Sequence, residues 1–177
     1  MTDGIAPDGL SRRAFVKAAS AAAFVLTASA VIDPIEAWGL ETKTLPPATM
    51  QTLIQMARDV YPHDRLADKY YAIAMKDYDS LSATDAKLRA MVETGVTQLN
   101  QAAVKAHKVP YVQVGWEEER VALLRGIEGT PFFKKVRSGL VTALYNQQEI
   151  WPLFGYEGSS ADKGGYINRG FNDLTWL

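Results

Sequence analysis

From Thr49 onward, apolar residues recur at intervals of three and four. Met50, Leu53, Ile54, Ala57, Val60 and Tyr61 form one stripe, as in a helix that buries a single face. Pro62 should stop it, because proline has no backbone N–H for the next turn. A second helix is expected over Leu66 to Asp77, with Leu66, Tyr70, Ile73 and Ala74 on its inner stripe. Ser82 followed by Asp85 resembles a capping box with Asp in place of Glu. Beyond it, Leu88, Met91, Val92, Leu99, Ala102, Ala103 and Ala106 carry a third helix to about His107, ahead of Pro110. Gly95 falls on that stripe, where it either weakens the helix or admits a close neighbour.

Residues 111–114 read as a short extended piece that makes no sheet alone. Glu117, Glu118 and Glu119 then open a fourth helix, since negative charge suits the positive end of the helix dipole. Val121, Leu124 and Ile127 face inward, and Gly129 ends it. Thr130-Pro131 is a start signal, a capping side chain followed by proline in the first helical position. Phe133, Val136, Leu140, Ala143 and Leu144 line the core face of a fifth helix, expected to run to about Glu149. Five helices without a strand pair place the chain in the all-α class, as a small bundle over residues 48–150.

The flanks have other patterns. Residues 31–47 contain Pro34, Pro46 and Pro47 without apolar periodicity and read as an extended lead-in. Residues 151–177 hold Trp151, Phe154, Tyr156, Tyr166, Phe171 and Trp176 among Gly155, Gly158, Gly164, Gly165 and Gly170. This tail has no helical period, yet carries too many rings to stay solvated. It must bury them on its own helices or on another protein, and the two are compatible.

The chain has 177 residues, no cysteine and a formal net charge of -1. Without Cys there is no disulfide framework, thiolate metal site or covalent haem attachment. Nineteen basic residues against 20 acidic ones argue against a dedicated nucleic-acid binder. His63 and His107 belong to no metal-ligand spacing, and there is no nucleophile elbow, phosphate loop or dinucleotide fingerprint. Neither a catalytic residue nor a cofactor or metal site is expected in this chain.

Residues 1–30 read as a targeting segment. Ser11-Arg12-Arg13-Ala14-Phe15-Val16-Lys17 precedes the uncharged stretch Ala18–Ala30, which ends in Ala28-Ser29-Ala30. A charged start, a short apolar run and a small-x-small end make a signal peptide. The apolar run is shorter than the roughly 20 residues a membrane span needs. Arg12, Arg13 and Phe15 match the twin-arginine signal, with Val16 its one departure. Cleavage is expected after Ala30, with Ala37 a second acceptable site. A chain that meets the twin-arginine translocase folded, with no cofactor motif of its own, is most simply explained as an escort for a cofactor-bearing partner.

The C-terminal third carries a resemblance. Phe132-Phe133-Lys134-Lys135-Val136-Arg137, Leu144-Tyr145-Asn146, Trp151-Pro152-Leu153-Phe154-Gly155-Tyr156-Glu157-Gly158 and Gly164-Gly165-Tyr166 resemble the gluconate 2-dehydrogenase subunit 3 family. Tyr61-Pro62 at the first helix end is also similar, and the resemblance spans roughly residues 47–177. It departs from the family pattern around Trp151. The resemblance implies a periplasmic, membrane-associated complex. Its large subunit would be a glucose–methanol–choline type flavoprotein that carries FAD and oxidises an alcohol or sugar acid. A c-type cytochrome often takes the electrons in such complexes. The small subunit is implied to export and stabilise the large one, and the family motif contains no catalytic residue. Candidate interface residues are Phe132, Phe133 and Tyr145 with the tail rings Trp151, Phe154, Tyr156, Tyr166, Phe171 and Trp176. Two other readings remain open: an independent periplasmic binding or scaffold protein that uses its aromatic tail, and a small enzyme using His63 with Asp59 or Asp64.

Overall fold

The computed structural model describes residues 42–167 and Phe171. Arg12, Arg13, Phe15 and Trp176 lie outside the described residues. So do residues 1–41, which contain both acceptable cleavage sites. Among the described residues five α-helices form the body: α1 Pro47–Val60, α2 Asp68–Ser82, α3 Ala86–His107, α4 Glu117–Arg125 and α5 Pro131–Tyr145. Short 3-10 turns at Tyr111–Gln113, Gln148–Phe154 and Ala161–Lys163 complete it, and no strand occurs among the described residues. The fold is all-α, and among the described residues no helix is long and apolar enough to cross a membrane.

α1 is the central element. It packs against each of the other four helices, so burial extends well beyond one stripe. Thr49, Thr52, Met56 and Asp59 are buried together with Met50, Leu53, Ile54 and Ala57. Thr52 satisfies its hydroxyl on the carbonyl of Ala48 at 2.9 Å. α3 likewise touches every other helix. Its start is fixed by Asp85, whose carboxylate accepts from the amides of Lys87 and Leu88, both at 2.9 Å; such a cap contributes about 1 kcal/mol. Ser82 is therefore not a capping residue. It closes α2, with its side chain buried.

Gly95 resolves as a point of close approach. The ring of Phe132 lies so near that a Cβ on residue 95 would stand 2.2 Å from Cγ. α5 begins as its Thr130-Pro131 signal specifies, with the Thr130 hydroxyl accepting from the amide of Phe133 at 3.2 Å.

Several expectations are corrected. α2 spans Asp68–Ser82 and buries Tyr71, Ala72, Ala74, Met75, Tyr78, Asp79 and Ser82, leaving Ile73 48% exposed. The polar members of that face disguised it as a solvent face. Asp79 is buried because it gathers the lead-in, accepting from the backbone amides of Lys43, Thr44 and Leu45 at 2.7 to 2.9 Å. Burial alone would raise the Asp79 pKa, but these three donors outweigh it and hold the carboxyl below its ordinary value. Residues 111–113 form a 3-10 turn with Tyr111 fully buried, not an extended piece. α4 ends at Arg125 with Gly126 as its cap, before Gly129. α5 stops at Tyr145 rather than near Glu149.

Candidate docking site

α1 and α5 end side by side, and the tail folds back over both. Tyr145, the last residue of α5, accepts on its backbone carbonyl from Trp151 Nε1 at 2.7 Å. Ile150 just before it is fully buried, so the chain is anchored to the core where the tail begins. Gly155 and Gly158 then turn the backbone with positive φ of 72° and 91°, a conformation that side chains disfavour. The turn at Gly158 lies against the Trp151 ring, leaving 3.3 Å between that ring and the place of a Cβ.

The rings meet edge to face. Tyr145 packs against Tyr61 at 6.2 Å between centroids, against His63 at 5.7 Å and against Phe154 at 5.9 Å. Phe154 also meets His63 at 5.0 Å, and Tyr156 meets Trp151 at 5.1 Å. Each such pair adds about 0.5–1.5 kcal/mol beyond its buried area. Tyr61 is held in turn by the Tyr71 hydroxyl, which donates to its carbonyl at 2.7 Å.

His63 Nε2 and the Tyr145 hydroxyl lie 2.7 Å apart. Burial lowers the His63 pKa, with neighbouring Asp64 opposing it, while burial and then Tyr61 raise that of Tyr145. Both shifts oppose proton transfer from phenol to imidazole. The pair is suited to fixing the rings in place. Asp59 is not available to His63 as a base. Its carboxylate takes Arg120 Nε and Nη2 at 2.8 and 3.0 Å, the Tyr111 hydroxyl at 2.6 Å and Gln55 at 3.1 Å. The bond to Asp59 raises the Arg120 pKa, and burial raises that of Tyr111. His107 stands elsewhere, with Nδ1 3.6 Å from Glu119, and no cluster of three metal-ligating side chains occurs among the described residues.

The candidate interface residues divide sharply. Phe132 and Phe133 are core, 4% and 7% exposed, because α5 needs them against α3 and the rest of the bundle; they are withdrawn from the surface. Tyr145 and Trp151 are half-buried supports. Phe154, Tyr156, Tyr166 and Phe171 are exposed, joined by Leu153 and by Ile167 at 84%. The sequence reading missed the support layer, His63 and Tyr61 included. The Asp59 network was also missed, although an acid inside the run Met56 to Tyr61 was its one visible sign.

No family model matches the chain, and no curated protein or solved structure matches it either. The resemblance to the small-subunit family therefore stands on the quoted residues alone.

Proposed function

We propose that this chain is the non-catalytic small subunit of a periplasmic, flavin-dependent dehydrogenase acting on an alcohol, sugar or sugar acid. On this reading it supplies the twin-arginine export signal and stabilises the glucose–methanol–choline type large subunit that carries FAD. No chemical step is assigned to its own residues.

The observation that carries the reading is the layering of the tail. Rings beneath (Tyr61, Tyr145 and Trp151) are fixed by hydrogen bonds and edge contacts. Above them Leu153, Phe154 and Tyr156 face solvent, 39 to 47% exposed. A pre-ordered apolar patch of this kind marks a protein interaction site, and aromatic anchors on a rigid base make strong ones.

The test is co-expression with a flavoprotein that has no signal of its own and is encoded beside this chain. Phe154→Ala with Tyr156→Ala should leave the far-UV helix signal intact and weaken capture of the flavoprotein by roughly a hundredfold or more. Replacing Arg12 and Arg13 together by Lys should strand both proteins in the cytoplasm. Unchanged capture by the ring variant would remove the docking claim, and normal export of the arginine variant would remove the signal claim.

A further inference from the structure

α4 and α5 both pack on α1 and α3, and an open cleft of about 780 Å³ lies between them. The buried Leu124 and Phe133 close its floor, and the apolar surface it presents comes from half-buried Val60 and Val121 and from Val141, the last 44% exposed. Its rim is cationic. Arg125 stands on the α4 side, Lys134 and Arg137 on the α5 side, with Glu128 the one carboxylate of the rim. Asp59, deeper in the wall, is already neutralised by Arg120 at 2.8 Å.

The three cations make no ion pair or side-chain hydrogen bond among the described residues. This concentration is local. Residues 125–137 hold Arg125, Lys134, Lys135 and Arg137 against Glu128, in a chain whose formal net charge is -1. Lys134, Arg137 and Val141 fall at i, i+3 and i+7, one stripe of α5 left uncovered beside α4. The cleft also adjoins the aromatic surface: Tyr61 lines its wall and meets Tyr145 edge-on.

We infer that the cleft receives an acidic, amphipathic segment of a partner polypeptide, with its apolar residues on Val141 and Val121 and its carboxylates against Arg125, Lys134 and Arg137. The charge complementarity selects the occupant's sign, and exposed Val141 between the cations, in a cleft of this size, selects a polypeptide face over a small ion. Opposed charges at such a rim act mainly on the rate of association and on its salt dependence. The inference rests on the docking reading only in taking this side of the molecule as covered by a partner. It requires no flavin.

The test places a photo-activated cross-linking residue either at Ser138, in the cleft, or at Phe154, in the full chain inside the cells that make it. The Ser138 adduct is expected on a segment in which Asp and Glu outnumber Lys and Arg, in the same polypeptide that Phe154 reaches. Arg125→Glu, Lys134→Glu and Arg137→Glu together should cut the Ser138 adduct at least about tenfold. The helix signal should be unchanged, since all three side chains are exposed. An adduct with a neutral or basic segment, with a second copy of this chain, or no adduct at all overturns the inference, as does indifference to charge reversal. In each of those cases the Phe154 adduct still judges the proposed function. If both adducts form on a polypeptide without flavin, the cleft assignment stands and the dehydrogenase reading falls.

Discussion

The ring of Phe132 occupies the space that any side chain larger than glycine at residue 95 would need, with Cγ, Cδ1 and Cδ2 all within 2.6 Å of a Cβ built there. The contact brings α5 directly onto the α3 backbone. It also explains why a helix of 22 residues tolerates a glycine in its middle, at about 1 kcal/mol relative to alanine: the lost propensity is exchanged for close packing.

Gly95→Ala is therefore expected to destabilise, although the same change in a solvated helix would stabilise. Overpacking against a ring costs roughly 2–3 kcal/mol. Phe132→Ala should also destabilise, and the double variant should lose less than the sum, because the two changes relieve one contact. Urea denaturation of the three variants measures this. A stabilising Gly95→Ala would mean that the helices do not approach so closely.

Asp59→Ala should be the most damaging polar substitution in the body, at about 3–5 kcal/mol, because it leaves the Arg120 charge with only the Val114 and Gly115 carbonyls and the buried Tyr111 hydroxyl without its acceptor. Asp59→Ala combined with Arg120→Met should recover part of the loss by removing the orphaned charge. Chemical denaturation reads both variants. Equal losses in the single and double variants would show that the cost lies in packing.

His63 gives the chain a pH dependence of predictable sign. Its folded pKa lies below the ordinary 6.5 because burial disfavours the imidazolium, with Asp64 partly opposing. The unfolded state then binds the proton more readily. The stability contributed by neutral His63 is complete above 6.5 and is lost as pH falls from there toward the lower folded value. Urea midpoints at about pH 7.5 and about pH 5 should separate for the natural chain, and His63→Gln should reduce the separation. A rise in stability on acidification that disappears in His63→Gln would reverse the assignment.

The tail divides between Trp151 and the residues beyond Gly158. Truncation after Ser159 keeps Ile150, Trp151 and the Gly158 turn, and should leave the helix content of the body intact. Truncation after Glu149 removes a fully buried isoleucine and the indole bonded to Tyr145. Loss of the isoleucine alone is expected to cost about 2–5 kcal/mol. Circular dichroism with thermal melts distinguishes the two truncations. Equal melting of both would detach the first tail residues from the core.

The helical class and most helix positions were legible because apolar periodicity, proline and capping residues act within a few positions of one another. The start of α5 was marked by Thr130-Pro131, whereas Pro47, read as the end of the extended lead-in, is the first residue of α1. Beyond helix ends and the turn at 111–113, the errors fell where a polar residue is buried for a distant reason. Asp79 binds residues 34 to 36 positions upstream, and its presence rotated the apparent core face of α2. Asp59 is acceptable inside the bundle only because Tyr111 and Arg120 arrive from the second half of the chain. At the candidate site the aromatic content of the tail was plain, but not the division between supporting and exposed rings. Phe132 and Phe133 show why: a paired aromatic reads alike in a core and on a surface until its neighbours are known.

Arg120 follows Asp59 by 61 residues, and this spacing sets an order of events during translation. Synthesis begins at the N-terminus, so α1 precedes the four helices that enclose it: α2 and α3 follow directly, and α4 and α5 come last. Until α4 exists, the Asp59 carboxylate has no cation to seat against. Ile150 must follow before the far end closes. The nascent chain thus leaves part of α1 open until α4 arrives, a natural handhold for a chaperone, and withdraws it only when the body is nearly complete.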